Sequence, residues 1–348
     1  MKKSYFHRVT AQTPTRFWIN NVTREEADTA IEAGAVGCTQ NPSYVYKMLT
    51  HEQEQAYAYG KLDAILAEES DDELAQEILQ QQLVGEVAKH FLPLYEQSSG
   101  RYGYVSVQGN PFREDVDNIV RNARMNREAG PNIMAKVPVT EDGLKAIEIL
   151  IAEGVPINAT EVMGVRQAMD VCDIYDTVAG KMKNPPPVYF SHITGIYDEY
   201  LQSYVQERGI EISDDAMWQA GMVIARKVHR LTKERGSAVG FIGGGVRGLH
   251  HFTEMVGAEC SITINWKGTA DKLIEQDGPV IDRFHTPVSE SVLDELLERV
   301  EDFARGWMIN GLQPHEYEDF GPVVLFRTSF ENNWGQAREL IAARRAAT

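Results

Sequence analysis

Asn132-Ile133-Met134-Ala135-Lys136-Val137-Pro138-Val139-Thr140 is a short apolar run with one charged residue near its end. The run has the length and composition of a buried strand. Burying an unpaired ammonium is expensive, so a strand of this kind has no structural need for Lys136. A lysine held there tends to lose its proton, and a neutral amine attacks carbonyl carbon. The segment therefore implies a strand, an imine (Schiff base) and an aldehyde or ketone substrate together. The alternative is a lysine whose stem lies along the barrel wall and whose head reaches solvent.

Working outward from this run, short apolar segments alternate with longer amphipathic ones. Strands are expected at Arg16–Asn20, Ala35–Thr39, Tyr102–Gln108, Asn132–Pro138, Pro156–Val162, Val188–Ser191, Ala238–Gly243 and Ser261–Asn265. Helical periodicity falls at Glu25–Ala33, Asp72–Leu92, Arg113–Ala129, Gly143–Glu153, Val165–Ala179, Asp214–Glu234 and Ser289–Phe303. Strands alternating with helices predict a parallel sheet. Over this length the expected fold is α/β, a single closed (β/α)8 TIM barrel, with active residues at the C-terminal strand ends. An open doubly wound sheet is the alternative. Residues 1–310 are assigned to the barrel and 311–348 to a C-terminal helical extension packed on it. Gln313–Phe330 shows no clear periodicity, and a short final helix is expected near Trp334–Arg345.

The 348 residues are 43% hydrophobic and 24% charged, as in a soluble globular protein. With 51 acidic against 34 basic side chains, the formal net charge is -17. Such a surface repels nucleic acid and anionic membrane. An anionic substrate would need a local positive pocket. The three cysteines, Cys38, Cys172 and Cys260, are widely spaced and have no metal-ligand pattern, so a reducing cytoplasmic setting is expected. The N-terminus lacks the apolar core of a signal peptide, and no run is long enough to span a bilayer.

Period-two alternation places Met134, Lys136 and Pro138 on the inward side of their strand. It places Asn158 and Thr160 together on the next one and turns Glu161 outward. His192 follows an inward serine at a strand end and is a candidate acid–base group. Gly243-Gly244-Gly245-Val246-Arg247-Gly248 fits Gly-x-Gly-x-x-Gly between a strand and a helix. A dinucleotide site would also need an acidic residue ending the next strand, which instead reads Ser261-Ile262-Thr263-Ile264-Asn265-Trp266. The favoured reading is an anion cradle of backbone N–H groups and Arg247. The alternative is a tight turn with a solvated arginine. His250 and His251 open the helix that follows and read as structural or rim residues.

Three stretches carry a resemblance. Asn132–Leu144 resembles the Schiff-base lysine segment of the transaldolase family of class I aldolases. Ile147–Thr160 resembles the helix and strand that follow it, and Gly37-Cys38-Thr39-Gln40-Asn41-Pro42-Ser43 resembles the family's second-strand signature ending in Thr-Asn-Pro-Ser. The likeness is sound from Phe17 to Thr160, looser from Val188 to Asn265 and weak beyond. It implies that Lys136 forms the imine with a ketose or a dihydroxyacetone unit. It further implies that Asn41 and Asn158 hold hydroxyls, Thr160 a water, Ser191 the donor and Arg247 a substrate phosphate. The implied activity is a transaldolase-type transferase, or an aldolase of the fructose-6-phosphate aldolase kind. No metal or organic cofactor is expected. The implied setting is carbohydrate metabolism, the pentose phosphate pathway of the cytoplasm. The partner is a sugar or sugar phosphate, and self-association stays open.

The departures are as specific as the matches. Asn20 stands where the family has a catalytic aspartate, and Gln108 where its transaldolases have a glutamate. The fructose-6-phosphate aldolase branch shares the glutamine and a similar Val-Pro-Val-Thr. It keeps the aspartate, however, and uses a tyrosine where this chain reads Ser191-His192-Ile193. Gly245 replaces a family serine, and a second phosphate-binding arginine is missing from Thr194-Gly195-Ile196-Tyr197. An amide does not shuttle protons, and general acid–base catalysis is worth roughly a hundred- to ten-thousand-fold. The resemblance thus assigns Lys136, Thr160, Gln108 and Asn20 to catalysis and leaves Glu161 or His192 to replace the lost carboxylates. A sugar-binding homologue with little turnover is the reading from outside enzymology.

Overall fold

A computed structural model describes residues 4–347. Eight parallel strands close on themselves within it. They are β1 (Arg16–Asn20), β2 (Ala35–Gln40), β3 (Tyr104–Gln108), β4 (Ile133–Pro138), β5 (Ile157–Val162), β6 (Val188–His192), β7 (Gly240–Gly243) and β8 (Ser261–Ile264). Each pairs with its neighbour in chain order, and β8 pairs back with β1. The fold is the (β/α)8 TIM barrel with a helical C-terminal end, as the alternation of segments predicts.

The local reasons are visible in the sequence. Parallel neighbours need a crossover, and several crossovers here carry a helix with its own start signal. Thr23, Asp115, Thr140 and Ser213 accept backbone N–H bonds as N-caps of the helices that follow them. Alternation then divides the strand side chains. Ile19, Cys38, Val105, Ile133, Ala135, Ile157 and Phe241 join the core between barrel and helices. Trp18, Tyr104, Met134 and Ile242 form a separate apolar cluster. They are the inward residues, so this cluster is the floor of the barrel. Met134 facing inward puts Lys136, two residues further on, inward as well and closer to the mouth.

The floor needs glycines opposite its aromatics. A Cβ on Gly37 would lie 2.4 Å from the Trp18 ring, and one on Gly240 would lie 2.3 Å from the Tyr189 ring. Large and small residues thus interdigitate across adjacent strands.

Several boundaries differ from expectation. The helix Asp72–Gln97 does not stop at Leu92 but carries Pro93 inside it. Its far end is held by Tyr95, packed edge-on against Tyr104 of β3. The segment expected as one helix over Ser289–Phe303 is broken at Val300, which is extended and buried, into Glu290–Arg299 and Glu301–Trp307. The final helix is a single element, Gly321–Ala347, and begins well before Trp334. Pro322 sits at its start, where a missing N–H costs nothing. The helix buries Val323, Phe330, Trp334, Ala337 and Ile341. Among the described residues no helix is long and apolar enough to cross a membrane.

Two glycine substitutions test this packing in opposite directions. Gly37→Ala, pressed on Trp18, is expected to lower stability by about 1–3 kcal/mol. Gly60→Ala, inside the helix Gln55–Leu66 with open space around it, is expected to raise it by about 0.5–1 kcal/mol. Urea unfolding midpoints report both.

Candidate active site

Strand register assembles the site. Gln108 on β3 lies beside Lys136 on β4, and Lys136 beside Asn158 on β5. All three are buried, with Lys136 only 6% exposed. Lys136 Nζ donates to Gln108 Oε1 at 2.7 Å. The rings of Phe330 and Phe326 lie 5.2 and 5.9 Å from the same nitrogen. Burial pushes the Lys136 amine down to about 8, against the opposing pull of Glu161 and Glu114. A minor neutral fraction, growing as pH approaches 8, therefore exists near neutral pH, which a nucleophilic amine requires.

Glu161 is not where alternation puts it. Ala159 pairs with Phe190 and Val162 with His192, so Thr160 and Glu161 together stand opposite Ser191. That is a β-bulge, and Glu161 takes φ +63° within it. Its fully buried side chain accepts a hydrogen bond from Gln108 Nε2 at 2.9 Å. Glu114, in the loop after β3, reaches the same nitrogen at 3.4 Å. One amide thus spans an amine on its oxygen side and two carboxylates on its nitrogen side. Burial raises both carboxyls above the usual range, and Glu161 raises Glu114 further by repulsion. Arg327, on the helix Gly321–Ala347, opposes the rise in each. Glu161 Oε2, Glu114 Oε2 and Thr160 Oγ1 are buried and bond to no protein group.

Above Lys136 lies a cavity of about 300 Å³. Asn20, Asn41, Lys136, Thr160, Ser191 and Arg247 line it, so the structure gathers most of the residues singled out from sequence. Asn20 Nδ2 donates to Asn265 Oδ1 at 2.9 Å. Asn41 Oδ1 accepts from Asn21 Nδ2 at 2.7 Å. Asn158 sits beneath this cavity, not in its wall. Its amide is engaged by Ser191 Oγ at 2.7 Å and by Ser106 Oγ at 3.2 Å. Contacts that sequence reasoning missed come from Asn265 and from the C-terminal helix, which brings Phe326, Ser329, Phe330 and Asn333 over the mouth. Their only signal was an aromatic segment of unclear period.

One expected group is placed elsewhere and another is already paired. His192 is fully buried outside the barrel wall, its ring nitrogens facing Val162 O at 2.9 Å and Gly221 O at 3.3 Å. Burial pushes it down to about 4. It is neutral and remote from Lys136 as an acid–base group. Arg247 lines the cavity, but its Nε donates to Glu199 Oε2 at 2.6 Å. The ligand atoms of Asp198, His250 and His251 lie within 4.8 Å of one another. Both His251 nitrogens already have protein partners, however, and Asp198 bonds through both oxygens. No cation-binding role follows from that trio.

Comparison with known proteins gives this barrel a family. Residues 17–309 match the family described as Transaldolase/Fructose-6-phosphate aldolase. The chain belongs to that family. The transaldolase of Thiobacillus denitrificans is 32% identical over 173 residues, which is 47% of this chain and 47% of that protein. The transaldolase of Helicobacter pylori strain HPAG1 is 33% identical over 156 residues, 43% of this chain and 47% of the relative. That of Mycobacterium bovis is 25% identical over 213 residues, 57% and 55%. The chain spans about half the length of the curated relatives it matches.

The strained charge at this family site has a thermodynamic signature. Lys136 has a lower pKa folded, about 8, than its ordinary 10.5. Between those values the unfolded chain binds more protons, so stability rises with pH there. Lys136→Met removes the buried charge and is expected to stabilise the protein by up to about 3 kcal/mol below pH 8. The gain should shrink as pH climbs toward 10.5. Urea midpoints of both proteins from pH 7 to 10 check this, and a gap independent of pH contradicts it.

Proposed function

We propose that this chain is a transaldolase-type enzyme that forms an imine between Lys136 and a ketose and transfers a three-carbon dihydroxyacetone unit. The observation that carries this reading is the buried amine, held near neutrality at the foot of a cavity walled by amides and hydroxyls. Family membership supports it.

In this reading Lys136 Nζ adds to the ketone carbon, giving a carbinolamine. A proton on the carbinolamine oxygen lets it leave as water, and the nitrogen becomes a protonated imine. That group accepts the electron pair of the adjacent carbon–carbon bond as the bond breaks. The proton of the hydroxyl on the departing carbon must pass to a base. The departing aldehyde leaves a three-carbon enamine on Lys136. Addition of an acceptor aldehyde completes transfer, whereas protonation and hydrolysis complete simple cleavage. The imine itself is the electron sink, so the chemistry calls for no metal or organic cofactor.

Asn20, Asn41 and Ser191 serve as hydroxyl partners from the wall, with Asn158 fixing Ser191 from beneath. Thr160 Oγ1 offers an unengaged hydroxyl beside the amine. Gln108 holds the amine, and Glu161 with Glu114 holds Gln108. Their two side bonds aim the amide nitrogen away from Lys136 and so present its oxygen to the amine. Glu161 also supplies negative charge that the substitutions at Asn20 and Gln108 remove from the family pattern. Its role is to position Gln108 and to set the protonation of Lys136.

A second reading is a sugar-binding homologue with slow turnover. It is favoured by one observation: among the described residues, no carboxylate lines the main cavity.

Borohydride reduction in the presence of fructose or dihydroxyacetone tests the proposal. The expected adduct maps to Lys136 and is absent from Lys136→Met. The labelling rate should rise with pH about a midpoint near 8. Glu161→Gln removes the charge that pulls this value up, so its midpoint should move to lower pH. An adduct confined to another lysine refutes the reading. Release of glyceraldehyde on single turnover separates an enzyme from a binder.

A further inference from the structure

We propose that the site takes a ketose whose far end, facing the turn after β7, is uncharged: an unphosphorylated sugar. This rests on the imine reading at Lys136.

The Gly243–Gly248 turn has the sequence of an anion cradle, but the protein itself already engages three of its N–H groups. Gly244 N donates to His192 O at 2.9 Å. Arg247 N and Gly248 N both donate to one atom, His251 Nδ1, each at 3.1 Å. That ring is fixed as an acceptor there, because its other nitrogen donates to Asp198 Oδ2 at 2.8 Å. Asp198 Oδ1 accepts in turn from Gly221 N at 2.6 Å. His251 and Asp198 are both buried. The Gly244, Arg247 and Gly248 N–H groups are therefore committed, the last two to a buried, hydrogen-bonded histidine.

The turn is also wedged in place. Gly245 has φ +65°, and a Cβ there would lie 2.3 Å from Ile193. A Cβ on Gly195, at the start of the helix Thr194–Arg208, would lie 2.1 Å from Gly245 O. Rotating the peptides of the turn toward a ligand would require moving both contacts.

The remaining cation is engaged as well. Arg247 Nε donates to Glu199 Oε2 at 2.6 Å, with both side chains about half exposed. Such a pair alone yields readily to a competing anion. Here, though, the competitor would also face the carboxylate it displaced. The other basic side chain in the wall is Lys136, which the imine consumes. What the cavity offers instead is Asn20, Asn41, Asn265, Asn333, Thr263 and Ser329, neutral groups that both donate and accept. That inventory fits hydroxyls.

The experiment compares fructose with fructose 6-phosphate in borohydride labelling of the full chain, with rates expressed per molar open-chain ketone. Lys136 should label at least about tenfold faster with fructose, the scale of one charge-assisted hydrogen bond. Glu199→Gln, a surface change outside the cavity wall, frees Arg247 and should narrow that ratio. Labelling of Lys136 that is equal or faster with fructose 6-phosphate overturns the proposal while leaving the imine intact. A ratio unmoved by Glu199→Gln overturns the assignment of the uncharged end to this turn. Absence of labelling by either sugar overturns the Lys136 reading itself, and this inference with it.

Discussion

The structure turns on one hydrogen bond, from Lys136 Nζ to Gln108 Oε1 at 2.7 Å. A lysine in a barrel interior is a liability unless something neutral or negative receives its protons. A carboxylate in direct contact would hold the ammonium tightly and suppress the free amine. An amide solubilises the head group without fixing its charge. Glu161 and Glu114 sit one amide further away, close enough to orient Gln108 and to offset part of the burial. The outcome is an amine displaced only to about 8, poised between the two protonation states that imine chemistry alternates.

Around Gln108 the acidic side chains come from a bulge in β5 and from the loop after β3. Two carboxylates that share one amide nitrogen repel each other, and burial disfavours their ionised forms further. Arg327 counters this from the C-terminal helix, which ties that helix electrostatically to the same cluster whose lysine its phenylalanines cover.

The barrel was legible because its signals are local. Period-two alternation set Met134 and Lys136 on one side, and the helical stripes set the crossovers. Lys136 was legible for the opposite reason, as a charge that violates its own pattern. Glu161 was misread because alternation assumes an unbroken register, and a bulge shifts the phase by one residue. Nothing in Asn158-Ala159-Thr160-Glu161-Val162 announces a positive φ. His192 was misread for a different reason: alternation after an inward Ser191 already turns it outward, and its ring meets two backbone carbonyls there. The C-terminal helix was foreshortened because exposed or half-buried Val324, Leu325 and Phe326 crowd its first turns and blur the stripe that Val323, Phe330, Trp334, Ala337 and Ile341 follow.

The glycine-rich turn shows why a motif is weaker evidence than its hydrogen bonds. Six residues fit an anion-binding pattern, and the turn has the expected place between β7 and a helix. What decides its chemistry is a histidine four residues beyond Arg247 that folds back onto the N–H groups, and an aspartate from another helix that holds its tautomer. The first contact spans only four residues but rests on the second, which joins residues 53 apart and lies beyond what sequence reading exploits. His251 is drawn into the turn because Asp198 is buried there, and Asp198 is tolerated because Gly221 N and His251 satisfy it. Asp198 joins the other two, so losing it leaves a buried polar atom on each of them. A turn stabilised in this way resists reopening for a phosphate, and the hydroxyl- and amide-lined wall beside it is left to define what the cavity binds.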